Sequence, residues 1–237
     1  MPRSSSSPWP VGPERGGVRP TASDVEPLSL ILGLAGAALG VTADRFATRW
    51  PPHDEEHPPG RRVDWRTVLC GVVGAVALGL LPVRFGGDPL ALAVFGAWTV
   101  TLIVGLATDL DQQLLPDELT LPVIPIALLY AVSGLNPLVG GALPLAVLGA
   151  VLIPAVLYLP SIPFGAGAFG IGDVKLLVGT GLLLGGDRAL GGTIFGLILA
   201  GVVLLALLVT RRIGRKSYVP FGPFLIIGAL WAVLIRA

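Results

Sequence analysis

An all-α, polytopic membrane fold is what this sequence predicts, on three observations. Apolar residues make up 53% of the 237 positions while Asp, Glu, Lys and Arg make up 13%, against roughly 25% charged in a soluble domain. The mean hydropathy of +0.81 reflects more apolar surface than a soluble monomer of this size could hide. Several apolar runs also approach the roughly 17 to 25 residues that cross a bilayer as a helix.

Taken in order, residues 1–26 are rich in Ser, Pro, Gly and Arg and too poor in aliphatic residues to build a core, so they are expected to be a disordered tail. A secretory leader is the competing reading. Charge favours a retained first helix over it, because Arg3, Arg15 and Arg19 are offset by Glu14, Asp24 and Glu26. Eight membrane helices are then predicted within residues 27–237. The first, 28–43, ends before the arginines of the next loop, and the second, 67–83, lies between Arg66 and Arg84. The third, 89–108, stops at Asp109, and the fourth, 119–134, is entered through Pro116 and Asp117. The fifth is 138–160. The sixth, 174–186, follows Gly170-Ile171-Gly172-Asp173, and at about 13 residues is short enough to be re-entrant or tilted. The seventh, 189–210, lies between Arg188 and Arg211, and the eighth is 219–235. Glycines four apart, at 36 and 40, 181 and 185, and 192 and 196, predict faces where helix backbones approach closely.

Orientation follows from the basic residues. Arg45, Arg49, Arg61, Arg62 and Arg66 lie in loop 44–66, and Arg211, Arg212, Arg215 and Lys216 in the loop before the last helix; the turns on the other face hold Arg84 and Arg188. The positive-inside rule puts the basic loops in the cytoplasm. With eight spans, Asp109 and Asp173 then both face the cytoplasm. A net charge of +1 gives no basic field for nucleic acid. Cys70, the single cysteine, excludes disulfide frameworks and Cys-type zinc sites and is read as a buried packing residue.

Two carboxylates kept at the membrane boundary of so apolar a chain are costly, and function is the default reason to keep them. An acid pair that shares a proton and holds a water between its members can hydrolyse a peptide, one member as base and the other as acid. Asp109 closes a helix and Asp173 opens one, which provides an asymmetry in which the shared proton rests on Asp109. Gly170 and Gly172 would let an extended substrate lie close to Asp173. Asp111, Asp117 and Lys175 stand near enough in sequence to support the site, with Asp117 suited to capping the fourth helix.

Asp109 with Pro116 seven residues on and then Asp117, Gly170-x-Gly172-Asp173 with Lys175-Leu176, and the late Pro220-Phe221-Gly222-Pro223-Phe224 together resemble the type IV prepilin peptidases. The likeness runs over roughly residues 28–236. It implies a GxGD-type intramembrane aspartyl endopeptidase of the bacterial cytoplasmic membrane that removes the basic leader of prepilins or pseudopilins; the sequence holds no cofactor motif, and no cofactor is expected. Asp109 and Asp173 would be the catalytic pair, and Pro220 to Phe224 a structural signature of the last helix. Bifunctional members of the family carry two Cys-x-x-Cys pairs in a domain between the first two helices and methylate the new N-terminus. Loop 44–66 is short and has no cysteine, so a peptidase alone is expected.

Other patterns are weaker. His53 and His57 have the spacing of a helical zinc site, but Pro51, Pro52, Pro58 and Pro59 leave too little chain for the helix, and a solvated loop is expected. Gly165-x-Gly167-x-x-Gly170 matches a dinucleotide fingerprint without the strand that gives it meaning. No Gly-x-Ser-x-Gly is present. From another class, an ion- or proton-coupled transporter would also use buried aspartates, though it would more naturally put them at the bilayer midplane.

Overall fold

A computed structural model describes residues 22–53, 59–164, 169–212 and 220–236. Residues 1–21 of the expected tail, His57, Gly165 to Ala168, Arg215 and Lys216 lie outside the described residues. The helices are α1 (Ala22–Ala47), α2 (Trp65–Phe85), α3 (Pro89–Gln112), α4 (Asp117–Thr120), α5 (Val123–Val132), α6 (Leu143–Tyr158), α7 (Ile171–Leu184), α8 (Gly186–Val209) and α9 (Gly222–Leu234), with a 3₁₀ segment Leu159–Phe164 after α6. No strand occurs among the described residues. Each of the eight predicted segments contains a helix, although the fifth begins only at Leu143, after a turn. The fourth is divided in two, because Pro122 has no N–H for the helical ladder and separates α4 from α5. The first helix begins at Ala22, inside the stretch assigned to the tail.

Among the described residues, five stretches are long and apolar enough to cross a membrane: Glu26–Ala47, Trp65–Phe85, Pro89–Gln112, Leu143–Pro163 and Gly186–Val209. The 14 residues of α7 rise only about 21 Å, short of a hydrocarbon layer of about 30 Å. Burial compensates for this. Most of α7 from Leu176 to Leu184 is enclosed by its neighbours, as a short interior helix must be. Large apolar side chains such as Leu34, Leu129 and Val209 point outward, an arrangement that hydrocarbon tolerates and water does not.

The core is centred on α3, whose Phe95, Leu102, Ile103 and Leu106 are fully enclosed. Phe95 stacks on Phe85 of α2 at 4.5 Å. Around it, helices meet where side chains are smallest. Gly36 and Gly40 of α1 lie directly on the carbonyls of Gly74 and Cys70 of α2, which is where the buried Cys70 is used. On α8, Gly192 faces Gly228 and Gly196 faces Phe224 of α9; Gly181 of α7 rests on Ala150 of α6. Gly185 is different. It ends α7 at φ +79°, a turn residue and not a packing one.

Two polar clusters close the ends of the bundle. At one end Arg84 and Arg188 both donate to the Arg236 carbonyl, while the Arg236 side chain holds Asp187. There too the buried Asn136 donates to the Leu183 carbonyl at 2.9 Å, satisfying an acceptor that the end of α7 would leave bare. At the opposite end the chain between α1 and α2 folds over the last turn of α3. Arg61 donates to Asp44 of α1 and Asp111 of α3, each at 2.6 Å, and to Asp64, the N-cap of α2.

Candidate active site

Three helix ends converge at the end of the bundle that carries the Arg61 cluster. The first is the C-terminus of α3, where Asp109 lies in the last turn with only 4% of its surface exposed. Gln113 stops the helix there. Its φ of 56° is left-handed, and its N–H returns to the Asp109 carbonyl at 2.9 Å. The second is the N-terminus of α7, capped by Gly170 in extended conformation, with Asp173 as its third residue and 8% exposed. The third is the N-terminus of α9 at Gly222.

Asp109 and Asp173 both line one cavity of about 590 Å³. Among the described residues no donor reaches Asp109 Oδ2, although it is fully enclosed. A buried carboxylate oxygen without a partner is costly, and chemistry is an ordinary reason to retain one. The rest of the wall is mixed. Gln113, Asp117 and Lys175 supply polar groups, and Tyr158, Phe169 and Phe221 supply aromatic ones. Lys175 Nζ is hydrogen-bonded to Asp117 Oδ1, an ion pair that joins α7 to α4 at the rim. Asp117 is therefore not the cap of its helix: Pro116 occupies that place, and the Asp117 carboxylate is spent on the lysine.

The glycines have separate tasks. Gly172 is a packing residue, since a β-carbon there would lie 2.8 Å from Leu115 Cβ and 3.0 Å from the Leu115 carbonyl oxygen. Its bareness lets the start of α7 close on the turn that follows α3, which brings Asp173 to the cavity. Among the described residues Gly170 meets nothing nearer than Asp173 Oδ2, at 3.3 Å, so none of them closes the approach to that carboxylate from Gly170.

Asp111 is absent from the cavity wall. Two residues after Asp109 on a helix, it leaves the opposite face, where it binds Arg61 and lies 3.3 Å from His53 Nε2. His53 is accordingly buried, with 4% of its side chain exposed, and not solvated as its proline-rich surroundings suggest. Among the described residues no group of His, Cys, Asp and Glu is arranged to hold a metal. The sequence reading missed Tyr158 and Phe169, which carry no motif. It also gave Gly222 only a structural part, whereas a β-carbon there would fall 2.5 Å from Asp109 Oδ2 and 2.7 Å from its Cγ.

Residues 97–209 match the model of the type IV leader peptidase family. A prepilin leader peptidase/N-methyltransferase of Aeromonas salmonicida (strain A449) is 31% identical over 223 residues, covering 91% of this chain and 67% of that protein. The chain belongs to the type IV leader peptidase family. A protein of the same name from Pseudomonas aeruginosa is 34% identical over 175 residues, 72% of this chain and 58% of its own length. One from Burkholderia pseudomallei (strain K96243) is 32% identical over 171 residues, 72% and 54%. No solved structure matches the chain. Membership in the leader peptidases carries their activity, cleavage of the leader peptide of type IV prepilins by an aspartic-type peptidase, in a multi-pass protein of the inner membrane. It also decides against the transporter reading.

Proposed function

We propose that Asp109 and Asp173 are the catalytic pair of this leader peptidase, working at the cytoplasmic face of an eight-span bundle. One observation carries the reading: two buried carboxylates from helices far apart in sequence open on the same cavity. The ionised member takes a proton from water as the water oxygen attacks the carbonyl carbon of the scissile peptide, and the protonated member donates to the carbonyl oxygen. Collapse of the tetrahedral intermediate then breaks the C–N bond, with a proton passed to the departing nitrogen.

Orientation is supported by charge. Arg45, Arg49, Arg61, Arg62 and Arg66 lie at the cavity end together with Arg211 and Arg212, and the positive-inside rule assigns that end to the cytoplasm. The substrate is a prepilin or pseudopilin whose leader reaches the cavity past the Asp117 and Lys175 rim. Residues 27–237 form one peptidase domain, and the short cytoplasmic loop expected over 44–66 reduces to residues 48–64 between α1 and α2. The relatives are named as N-methyltransferases as well. Here the only cysteine is enclosed between α1 and α2, so the Cys-x-x-Cys chemistry expected of the methylating domain has no residues, and the enzyme is a peptidase alone.

The test is cleavage of a co-reconstituted prepilin by Asp109→Asn and Asp173→Asn, with products read by N-terminal sequencing. Both variants are expected to insert normally and to leave the substrate uncut. Full cleavage by either would remove that residue from the pair.

A further inference from the structure

The last turn of α3 has to be held in a fixed rotation, because it presents two acids in opposite directions. Asp109 and Asp111 are two residues apart, so their side chains leave the helix roughly 200° apart, one toward the cavity and Gly222, the other toward the chain between α1 and α2. A helix end frays unless tied. Asp111 also adds negative charge where the helix already ends in bare carbonyls, and it needs a counter-charge to stay. Arg61 supplies it. Its guanidinium is 18% exposed and engages carboxylates from three helices: Asp44, fully enclosed on α1, Asp64 at the cap of α2, and Asp111 on α3, 6% exposed. Gln112 adds a second tie to the same chain, donating to the Ala47 carbonyl at 3.1 Å and to that of Pro51 at 3.2 Å.

We propose that Arg61 is a positioning residue for catalysis: by gripping Asp111 it fixes the rotation of the final turn of α3 and so aims the Asp109 carboxylate into the cavity. The inference rests on the dyad reading above. Holding α1 on α2 is not what Arg61 is needed for, since the glycine contacts of those helices already do so along their length. What the fork geometry adds is reach to three carboxylates at once. A lysine, with one compact ammonium, cannot reproduce that.

The experiment compares Arg61→Lys, Asp111→Asn and the double variant with the full chain in proteoliposomes, measuring kcat and KM on a co-reconstituted prepilin. Misplacing a catalytic group by about 1 Å can cost roughly 100-fold. Arg61→Lys is expected to lower kcat by about 10- to 100-fold with KM within about twofold, and Asp111→Asn to do much the same. The double variant should be no worse than the poorer single, because both act through one contact. Wild-type kcat in Arg61→Lys, a loss confined to KM, or losses that multiply in the double variant would overturn the proposal. Should Arg61→Lys fail to accumulate, Asp111→Asn decides by the same kcat against KM split, since it leaves Arg61 its partners on α1 and α2. Asp109→Asn run alongside separates the two levels. If it stays active the dyad reading fails, whereas an inactive Asp109→Asn beside a fully active Arg61→Lys sinks only the present inference.

Discussion

Gly222 lies against the Asp109 carboxylate so closely that the space a β-carbon would take is already filled by Oδ2. The first residue of α9 and the last turn of α3 thus share one small volume, and only glycine leaves room for the acid. What gives way on substitution is the free end of a side chain and not the backbone. Gly222→Ala should therefore displace the carboxylate more readily than it unfolds the protein. A fall in kcat of about 100-fold is expected, with thermal unfolding in detergent lowered by less than about 1 kcal/mol. Unimpaired turnover would show that the carboxylate can rotate away without cost.

Gly172 and Gly170 should respond differently, though both precede Asp173. A methyl group at Gly172 meets the backbone of Leu115, which cannot step aside, so Gly172→Ala should open the contact between α7 and the turn after α3. Overpacking of this kind costs about 1 to 3 kcal/mol, and activity should fall with stability. Gly170→Ala has an ordinary φ of −69° and, among the described residues, meets Asp173 alone, so it should fold as the parent does and lose rate alone. Melting curves and turnover measured on the pair check both.

The rate should rise and fall with pH. Peptide hydrolysis by an acid pair needs one member protonated and one ionised, so activity is lost in acid when both are protonated and in alkali when both are ionised; the two limbs belong to the pair. Arg61 shapes neither limb. Burial works against its charge, but the hydrogen bonds that it donates to Asp111 and Asp44 outweigh this and raise its pKa further above an already high value. A raised folded pKa means that its stabilisation is complete below the ordinary arginine range and is lost only in strong alkali. Arg61→Lys should thus lower the profile without moving its limbs, a result read from kcat between about pH 5 and 9.

Helix pairing offers a prediction on stability alone. Gly40→Leu would drive a side chain into the Cys70 carbonyl and the Gly71 amide of α2, costing about 3 kcal/mol or more in thermal unfolding. Gly201→Ala on α8 is its counterpart, since no described atom lies within 4 Å of the added carbon. There the helix should gain about 0.5 to 1 kcal/mol. Equal effects at the two sites would contradict the close packing of α1 on α2.

His53 is expected to contribute about 1 kcal/mol through its contact with Asp111. His53→Ala should lower the unfolding temperature slightly and leave cleavage largely intact, since Arg61 still holds the same carboxylate.

The helical segments were legible because each is an apolar run between charged or proline-bearing turns, and for the five that are long enough to cross a membrane bilayer thickness makes the run hard to mistake. The two aspartates could be found for the same reason: an acid at the edge of an apolar run stands out. The roles of their neighbours could not be found that way. Asp111 reads as a companion of Asp109 along the chain, yet helical geometry turns it to the other side, and its partner Arg61 is 50 residues away. Gly222 looks like part of a proline turn until α9 is set against α3. Gly172 looks like an opening for substrate until Leu115 is found in front of it.

Composition and the spacing of charges determined by themselves that this chain is a membrane helical bundle, which end is basic, and which two acids are out of place, since all three follow from the cost of moving charge and bare backbone into hydrocarbon. Only the tertiary structure decided which acids face one cavity, because that depends on how far each helix is rotated about its axis, and the rotation is set by contacts such as Gly222 on Asp109 and Arg61 on Asp111 between residues distant along the chain.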